Sequence, residues 1–260
     1  MLAVSICVSA LTTRIKKQEQ IRLEVEKEKT RANLLRAISH DIRTPLTSIV
    51  GSASGILENQ KVLTQEREME LVQDIKDEAQ WLIRIVENLL SVTRINGENA
   101  KINTEDEVVE EIISSAVIKF NKRFPEASVE VKMPEEFLMV AMDGVLIEQV
   151  LVNLLENAVL HGKTYTKIWI VVTHTPGRVE IAVEDDGQGI KESVLPVMFE
   201  GKISSDEEES DSKRNMGIGL SVCHSIVKAH KGGMHAENRA EGGARISFWL
   251  PMNEEDTDGY

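Results

Sequence analysis

The stretch that decides the fold is Ser39-His40-Asp41-Ile42-Arg43-Thr44-Pro45-Leu46, which closes a run from Arg14 to Thr44 free of glycine and proline. Within that run Ile21, Val25, Glu28, Ala32, Leu35, Ser39 and Ile42 recur at alternating steps of four and three. This is the heptad seam of helices that pair. His40 lies one residue beyond the seam position Ser39, so it flanks the packed face and looks toward solvent. A lone histidine on a helix is ordinarily a surface or satisfied core residue. Here Asp41 supplies a carboxylate that can orient the imidazole and take its proton as a ring nitrogen attacks phosphorus. Pro45 removes the backbone bond to the Asp41 carbonyl and bends the helix.

Working outward, a second helical pattern runs from about Gln65 to Ile95. Leu71, Ile75, Glu78, Leu82, Ile85, Leu89 and Val92 repeat the four-three rhythm, and Val72, Ala79, Val86 and Leu90 widen the stripe. The glycine-containing segment from Gly51 to Gln65 permits an antiparallel hairpin, and Asn96-Gly97 is a strong helix stop. Two helices cannot close a core with faces this wide. A homodimer forming a four-helix bundle would bury them.

From Lys101 onward helix and strand signals mix. Val108 to Phe120 and Val145 to His161 read as amphipathic helices, and Ser221 to Ala229 as a third. Residues 128–132, 137–142, 166–173, 179–185, 233–238 and 244–250 read as short strands. Clustered strands with interspersed helices predict an α/β sandwich with helices on one sheet face. The expected organisation is therefore 1–13 as the remnant of a membrane-spanning segment, 14–30 as a helical linker, 31–97 as a dimerising hairpin, 101–253 as the α/β domain and 254–260 as a tail.

Composition narrows the partners. Thirty Lys and Arg stand against 43 Asp and Glu, a net charge of −13, and aromatic residues make up only 4% of the chain. Such a surface repels nucleic acid and lacks the ring platforms that stack bases, so no nucleic-acid partner is expected. Cys7 and Cys223 match neither a metal spacing nor a disulfide framework. Met1 to Ala10 is almost wholly apolar or small and is followed by Arg14, Lys16 and Lys17. It is shorter than the ~20 residues of a membrane span and lacks the marks of a signal peptide. Its cationic flank is that of the cytoplasmic end of a transmembrane helix, the alternative being an apolar terminus. The expected location is the cell membrane, with the remaining domains on the cytoplasmic side.

Three further motifs carry chemistry. In Asn153-Leu154-Leu155-Glu156-Asn157-Ala158 two asparagines at i and i+4 share a helix face. Their neutral amide oxygens suit a Mg²⁺ ion that already carries phosphate ligands. Asp185-Asp186-Gly187-Gln188-Gly189-Ile190 follows a strand, where a carboxylate can accept a bond from an adenine amino group and glycines let backbone pass close to the base. Gly217-Ile218-Gly219-Leu220 opens a helix and can present amide N–H groups to an anion. Between the last two lies Glu200 to Asn215, preceded by Phe199 and rich in Asp206, Glu207, Glu208, Glu209 and Asp211. It reads as a solvated loop or as a mobile lid.

Taken in order, these motifs resemble the H, N, G1 and G2 boxes of the sensor histidine kinases, over about Arg31 to Pro251. The resemblance implies a dimerisation and phosphotransfer domain followed by an ATPase-type α/β sandwich, the fold shared by histidine kinases and GHKL ATPases. It implies His40 as phosphoacceptor, Asp41 as general base and Thr44 as the residue positioning water for phosphatase action. Asn153 and Asn157 fall at the phosphate end of an ATP site, with Asn157 on Mg²⁺. His161 matches a frequent aromatic-or-His position, and Asp185 with Gly187, Gly189 and Ile190 lines the base. Gly217, Ile218, Gly219 and Leu220 line the phosphates. The implied activity is ATP-dependent autophosphorylation and transfer to an aspartate on the receiver domain of a response regulator.

Three departures accompany the resemblance. Leu160 stands where the family often has Lys or Arg, with Lys163 a candidate substitute. Phe199-Glu200 is half an F-box, with Lys213 and Arg214 able to reach phosphate from the lid. Lys231 interrupts the usual His-Gly-Gly. The segment Asp143 to Leu151 looks most like that of the potassium-responsive, Kdp-type members. The alternative reading is a non-catalytic or phosphatase-dominated dimeric scaffold with a degenerate ATP site.

Overall fold

Strand alternation sets the architecture of the larger part of the chain. Ile168, Ile170 and Val172 are buried, as are Val179, Ile181 and Val183, and Ile246, Phe248 and Leu250. Each set lies two residues apart along its strand, so one sheet face is apolar and must be covered. In the computed structural model, residues 42–59, 62–96, 102–162, 167–199 and 216–252 are described, with isolated helical positions at 14, 17 and 18. The Ile21–Ser39 seam, His40, Asp41, Lys163, Glu200, Lys213, Arg214 and the expected tail lie outside the described residues.

Residues 42–59 are helical (α1). The chain turns where Val62 and Leu63 donate to the Asn59 carbonyl at 2.9 and 3.0 Å, then enters α2 (Gln65–Asn96). Thr64 caps α2, its Oγ1 accepting from the Arg67 N–H at 3.3 Å, and Glu66 and Glu68 favour the positive end of the helix dipole. The break is narrower than the sequence suggests, because Gly51 and Gly55 remain inside α1. A glycine in a helix costs about 1 kcal/mol relative to alanine, which a packed helix absorbs. At Gly55 an added Cβ would lie 3.8 Å from Leu71, so the small residue sits where the two helices meet.

Beyond the hairpin come β1 (Glu105–Val108), α3 (Val109–Arg123), β2 (Val129–Lys132), β3 (Met139–Met142), α4 (Gly144–Gly162), β4 (Ile168–Thr175), β5 (Arg178–Asp185), α5 (Met216–Ala229), β6 (Gly233–Asn238) and β7 (Ala244–Pro251). Five strands form a mixed sheet in the order β2-β4-β5-β7-β6. Only β2 and β4 run parallel. The strand β1 is not expected from the sequence, since three acids in four residues are a poor strand composition. It forms because it pairs antiparallel with β3, Glu105 opposite Met142 and Val108 opposite Met139. The helix α5 also begins earlier than expected, at Met216 rather than Ser221, so Gly217 and Gly219 lie in its first turns instead of preceding it. Glycine is tolerated there because the first N–H groups of a helix have no intrahelical partner to lose.

Helix α3 packs on α4, and α4 on α5. Ile113 and Phe120 of α3 and Ile147, Leu151, Leu154 and Leu155 of α4 are fully buried, each stabilising the fold by roughly 1.5–3 kcal/mol. A polar seam joins α3 to α4. Glu148 takes bonds from Ser115 and Lys119, and Glu156 takes one from Arg123 at 2.7 Å. Asp143 caps α4 through Oδ1, which accepts from the Leu146 N–H at 3.1 Å.

The opposite sheet face is ionic. Arg245 pairs with Glu184 and, at 3.2 Å, with Glu180. The chain divides into two compact units, one ending at Ile83 and one beginning at Arg84. Among the described residues no helix is long and apolar enough to cross a membrane.

Candidate functional site

Asp185 is the last residue of β5 and keeps the inward parity of Val179, Ile181 and Val183. Its carboxylate therefore enters the helix-covered side and is only 6% exposed. Oδ1 accepts from the Gly187 N–H at 2.8 Å and from the Ala244 N–H at 3.4 Å. Among the described residues no bond reaches Oδ2, so one oxygen is fixed and the other available. Burial pushes the Asp185 carboxyl above its usual range, opposed by the two backbone donors.

The turn after Asp185 is packed against the end of α4. An added Cβ on Gly187 would meet the Gly162 carbonyl oxygen at 2.5 Å, and the Gln188 Nε2 donates to the His161 carbonyl at 3.0 Å. Gly189 adopts φ +74°, a conformation glycine reaches without steric cost. From the other side, the β6–β7 hairpin closes on the same turn. Asn238 Oδ1 accepts from the Ile190 N–H, and its Nδ2 donates to the Ile190 carbonyl, both at 2.7 Å. The Arg239 Nη1 donates to the Asp185 carbonyl at 2.9 Å, and its guanidinium lies over Trp169, 4.9 Å from the ring centroid. Gly243, at φ +87°, passes so close that a Cβ would strike the Asp185 carbonyl.

Asn153 and Asn157 sit one turn apart on α4, 7% and 8% exposed. They differ in how their amides are used. Asn153 donates to Asn88 Oδ1 at 3.1 Å and to Cys223 Sγ at 3.6 Å, and accepts from Gln149 at 3.2 Å. Asn157 Nδ2 is buried and has no hydrogen-bond partner among the described residues. Oxygen and nitrogen of such an amide are assigned from its partners, so the observation is an unspent buried carboxamide. An uncommitted amide of this kind fits a ligand oxygen or a hard cation rather than a packing role.

His161 and Leu160 are half-buried on the last turn of α4. Leu220 is 1% exposed, and among the described residues nothing lies within 4 Å of a Cβ built on Gly219. Phe199 stacks at a tilt on His224, ring centroids 5.9 Å apart, and burial lowers the His224 imidazole below its usual value. Burial raises the Cys223 thiol to about 12, so it behaves as a small apolar residue. Thr44 is half-buried on α1, beside buried Pro45.

The structure thus joins the G1-type turn to the end of α4. The residues that sequence motifs do not mark are Asn238, Arg239, Gly243 and Asn88. Gly242-Gly243 before a largely apolar strand is the signal that could have pointed to the hairpin. Nothing in the sequence marks Asn88.

A buried strand-end carboxylate, a glycine turn beside it and an amide-bearing helix under a mixed sheet define a nucleotide-binding domain of the ATPase kind. Residues 142–254 match the family described as histidine kinase-, DNA gyrase B- and HSP90-like ATPase, and residues 30–98 match the His Kinase A (phospho-acceptor) domain. The chain belongs to the sensor histidine kinases. It is 44% identical to the sensor protein KdpD of Clostridium acetobutylicum over 91% of this chain and 26% of that protein. It is 32% identical to the sensor protein KdpD of Escherichia coli over 90% of this chain and 26% of that one. The chain therefore spans about a quarter of the length of these curated relatives. The histidine kinase ThkA, solved in complex with the response regulator protein TrrA, shares the fold with a TM-score of 0.67 at 23% identity, covering 92% of this chain and 67% of that one. The Acinetobacter baumannii histidine kinase AdeS does so at 0.61 and 22%, covering 82% of this chain and 98% of that one.

Proposed function

We propose that this chain uses ATP to phosphorylate His40 and passes the phosphoryl group to an aspartate on the receiver domain of a response regulator. The observation that carries the nucleotide half is Asp185, a buried carboxylate with one oxygen anchored by backbone donors and the other left for an adenine amino group. The phospho-acceptor half rests on the family match over residues 30–98, which contains His40, Asp41 and Thr44. Asn157, with its unspent carboxamide, would hold Mg²⁺ beside Asn153. The ion supplies neutralisation of phosphate charge, most of what phosphoryl transfer asks of a site.

The chain's own residues do the rest. Asp185 and the Gly187–Ile190 turn orient the nucleotide from the base end. Gly217, Ile218, Gly219 and Leu220 border the phosphates at the first turns of α5, where backbone N–H groups are available. His161 closes the end of α4. His40 accepts the γ-phosphoryl group as ADP leaves, while Asp41 removes the imidazole proton, and Thr44 positions water for phosphatase action.

The exposed apolar residues of the hairpin support a homodimer. The KdpD relatives, which are sensor proteins by name, support attachment to the cell membrane through an N-terminal segment, with the domains on the cytoplasmic side. Boundaries near 31–97 and 101–253 separate the two working parts.

Incubation with γ-labelled ATP and Mg²⁺ tests the reading. Acid-labile, alkali-stable label is expected on the wild-type chain and absent from His40→Gln. A folded dimer that binds ATP yet acquires no label would instead support a phosphatase-dominated or non-catalytic scaffold.

A further inference from the structure

Asn238 is an exposed residue at the end of β6, yet both ends of its side-chain amide are bonded to a single residue of another segment. Its Oδ1 accepts from the Ile190 N–H and its Nδ2 donates to the Ile190 carbonyl, each at 2.7 Å. This is the pattern of two opposed peptide groups in an antiparallel ladder. The side chain acts as one more peptide unit of β6, extending the sheet's hydrogen bonding onto the turn that follows Asp185. The fit is close, because a Cβ on Gly189 would come within 2.7 Å of Asn238 Oδ1.

The neighbouring residue braces the start of the same turn. Arg239 donates to the Asp185 carbonyl at 2.9 Å and pairs with Glu184 at 3.3 Å. The β6–β7 hairpin thus grips the Asp185–Ile190 loop at its first and last residues. Between those two points lie the carboxylate and the two glycines assigned to the base.

We propose that Asn238 is a positioning residue that fixes the Gly187–Ile190 turn against Asp185 and so sets how tightly the site holds the adenine base. This rests on the reading of Asp185 as the group that binds adenine. A purely structural role predicts a different outcome. An exposed asparagine at a hairpin end contributes little to global stability, whereas a displaced turn alters base recognition directly. The residue type is also restrictive, since only an amide offers one donor and one acceptor in this geometry. Aspartate, of the same shape, keeps the bond from the Ile190 N–H and sets an oxygen against the Ile190 carbonyl.

The test is calorimetric titration of the 260-residue chain with ADP and, separately, GDP in the presence of Mg²⁺, for wild type, Asn238→Ala and Asn238→Asp. Wild type should prefer ADP. Asn238→Asp should bind ADP about five- to thirty-fold more weakly, with Asn238→Ala between, while GDP affinity stays within about twofold and the melting temperature is unchanged. Unchanged ADP affinity in both variants would overturn the proposal. So would an equal loss for ADP and GDP or a lowered melting temperature, which mark a structural role. A wild-type chain that binds neither nucleotide would remove the underlying reading of Asp185 as well, and is distinct from either result.

Discussion

In the proposed site Asp185 presents two oxygens with different obligations. Oδ1 is committed to the Gly187 and Ala244 N–H groups. In an Asp185→Asn variant those donors select the amide oxygen, which turns the NH₂ group toward the place of an adenine amino donor. ATP affinity should fall about 10- to 100-fold, the loss expected of a hydrogen bond to a charged group. The fold should not suffer. Burial raises the folded-state pKa of this carboxyl, so ionised Asp185 costs stability at neutral pH, and that cost fades as pH falls through the raised value. Thermal melts should therefore show Asp185→Asn at or above wild type at pH 7, with the gap closing below the ordinary carboxylate range. A variant clearly less stable at pH 7 would contradict this. The residue's place at a strand end before glycines was legible in the sequence. Its bracing was not, because Asn238, Arg239 and Gly243 come from a hairpin more than 50 residues later and no local pattern joins them.

At the scale of elements, helices and strands followed from periodicity, and the misreadings came where tertiary pairing overrode composition. β1 is a strand only because β3 lies beside it, and α5 extends over two glycines that read as a loop. The C-terminus of α5 shows what Lys231 does in place of a glycine. The Lys231 N–H bonds the Lys228 carbonyl at 3.0 Å and the Gly232 N–H bonds the Val227 carbonyl at 2.9 Å, the two bonds of a Schellman cap. Lys231 holds the left-handed position at φ +62°, which costs a side-chain-bearing residue roughly 1–2 kcal/mol. Lys231→Gly should stabilise the chain by about 1 kcal/mol in urea unfolding, net of glycine's entropy in the unfolded state. No gain would mean that the lysine makes a compensating contact. The α3–α4 seam makes the opposite prediction. Glu156→Ala leaves Arg123, bonded at 2.7 Å, without its carboxylate in a half-buried setting, and should cost about 1–3 kcal/mol. A double-mutant cycle with Arg123→Ala should return a coupling above ~0.5 kcal/mol; additive losses would mean the pair does nothing as a pair.

Across the whole molecule, the hairpin exposes what a soluble monomer would bury. Val50, Leu57, Met69, Val72, Ile83, Val86 and Leu90 are 47–72% exposed, in a chain of net charge −13. An apolar stripe of that length on paired helices needs a partner. The proposed homodimer supplies one by turning two hairpins into a four-helix bundle, in keeping with the width of the stripe in the heptad pattern. Val72 and Val86 lie two heptads apart on α2, hence on one face. Replacing both with glutamate should convert the dimer to a monomer in sedimentation velocity, since each buried charge costs far more than the roughly 1.5–2 kcal/mol of apolar burial it replaces. The residues assigned to the adenine base lie between Asp185 and Asn238, well beyond the substituted positions in the chain, so ADP affinity should stay within about twofold. Label on the proposed acceptor His40 should nonetheless fall, as the hairpin loses its partner. A Val72→Glu/Val86→Glu chain that stayed dimeric would move the interface off this face of α2, and one that lost ADP binding along with the dimer would mean that the nucleotide site depends on the pairing.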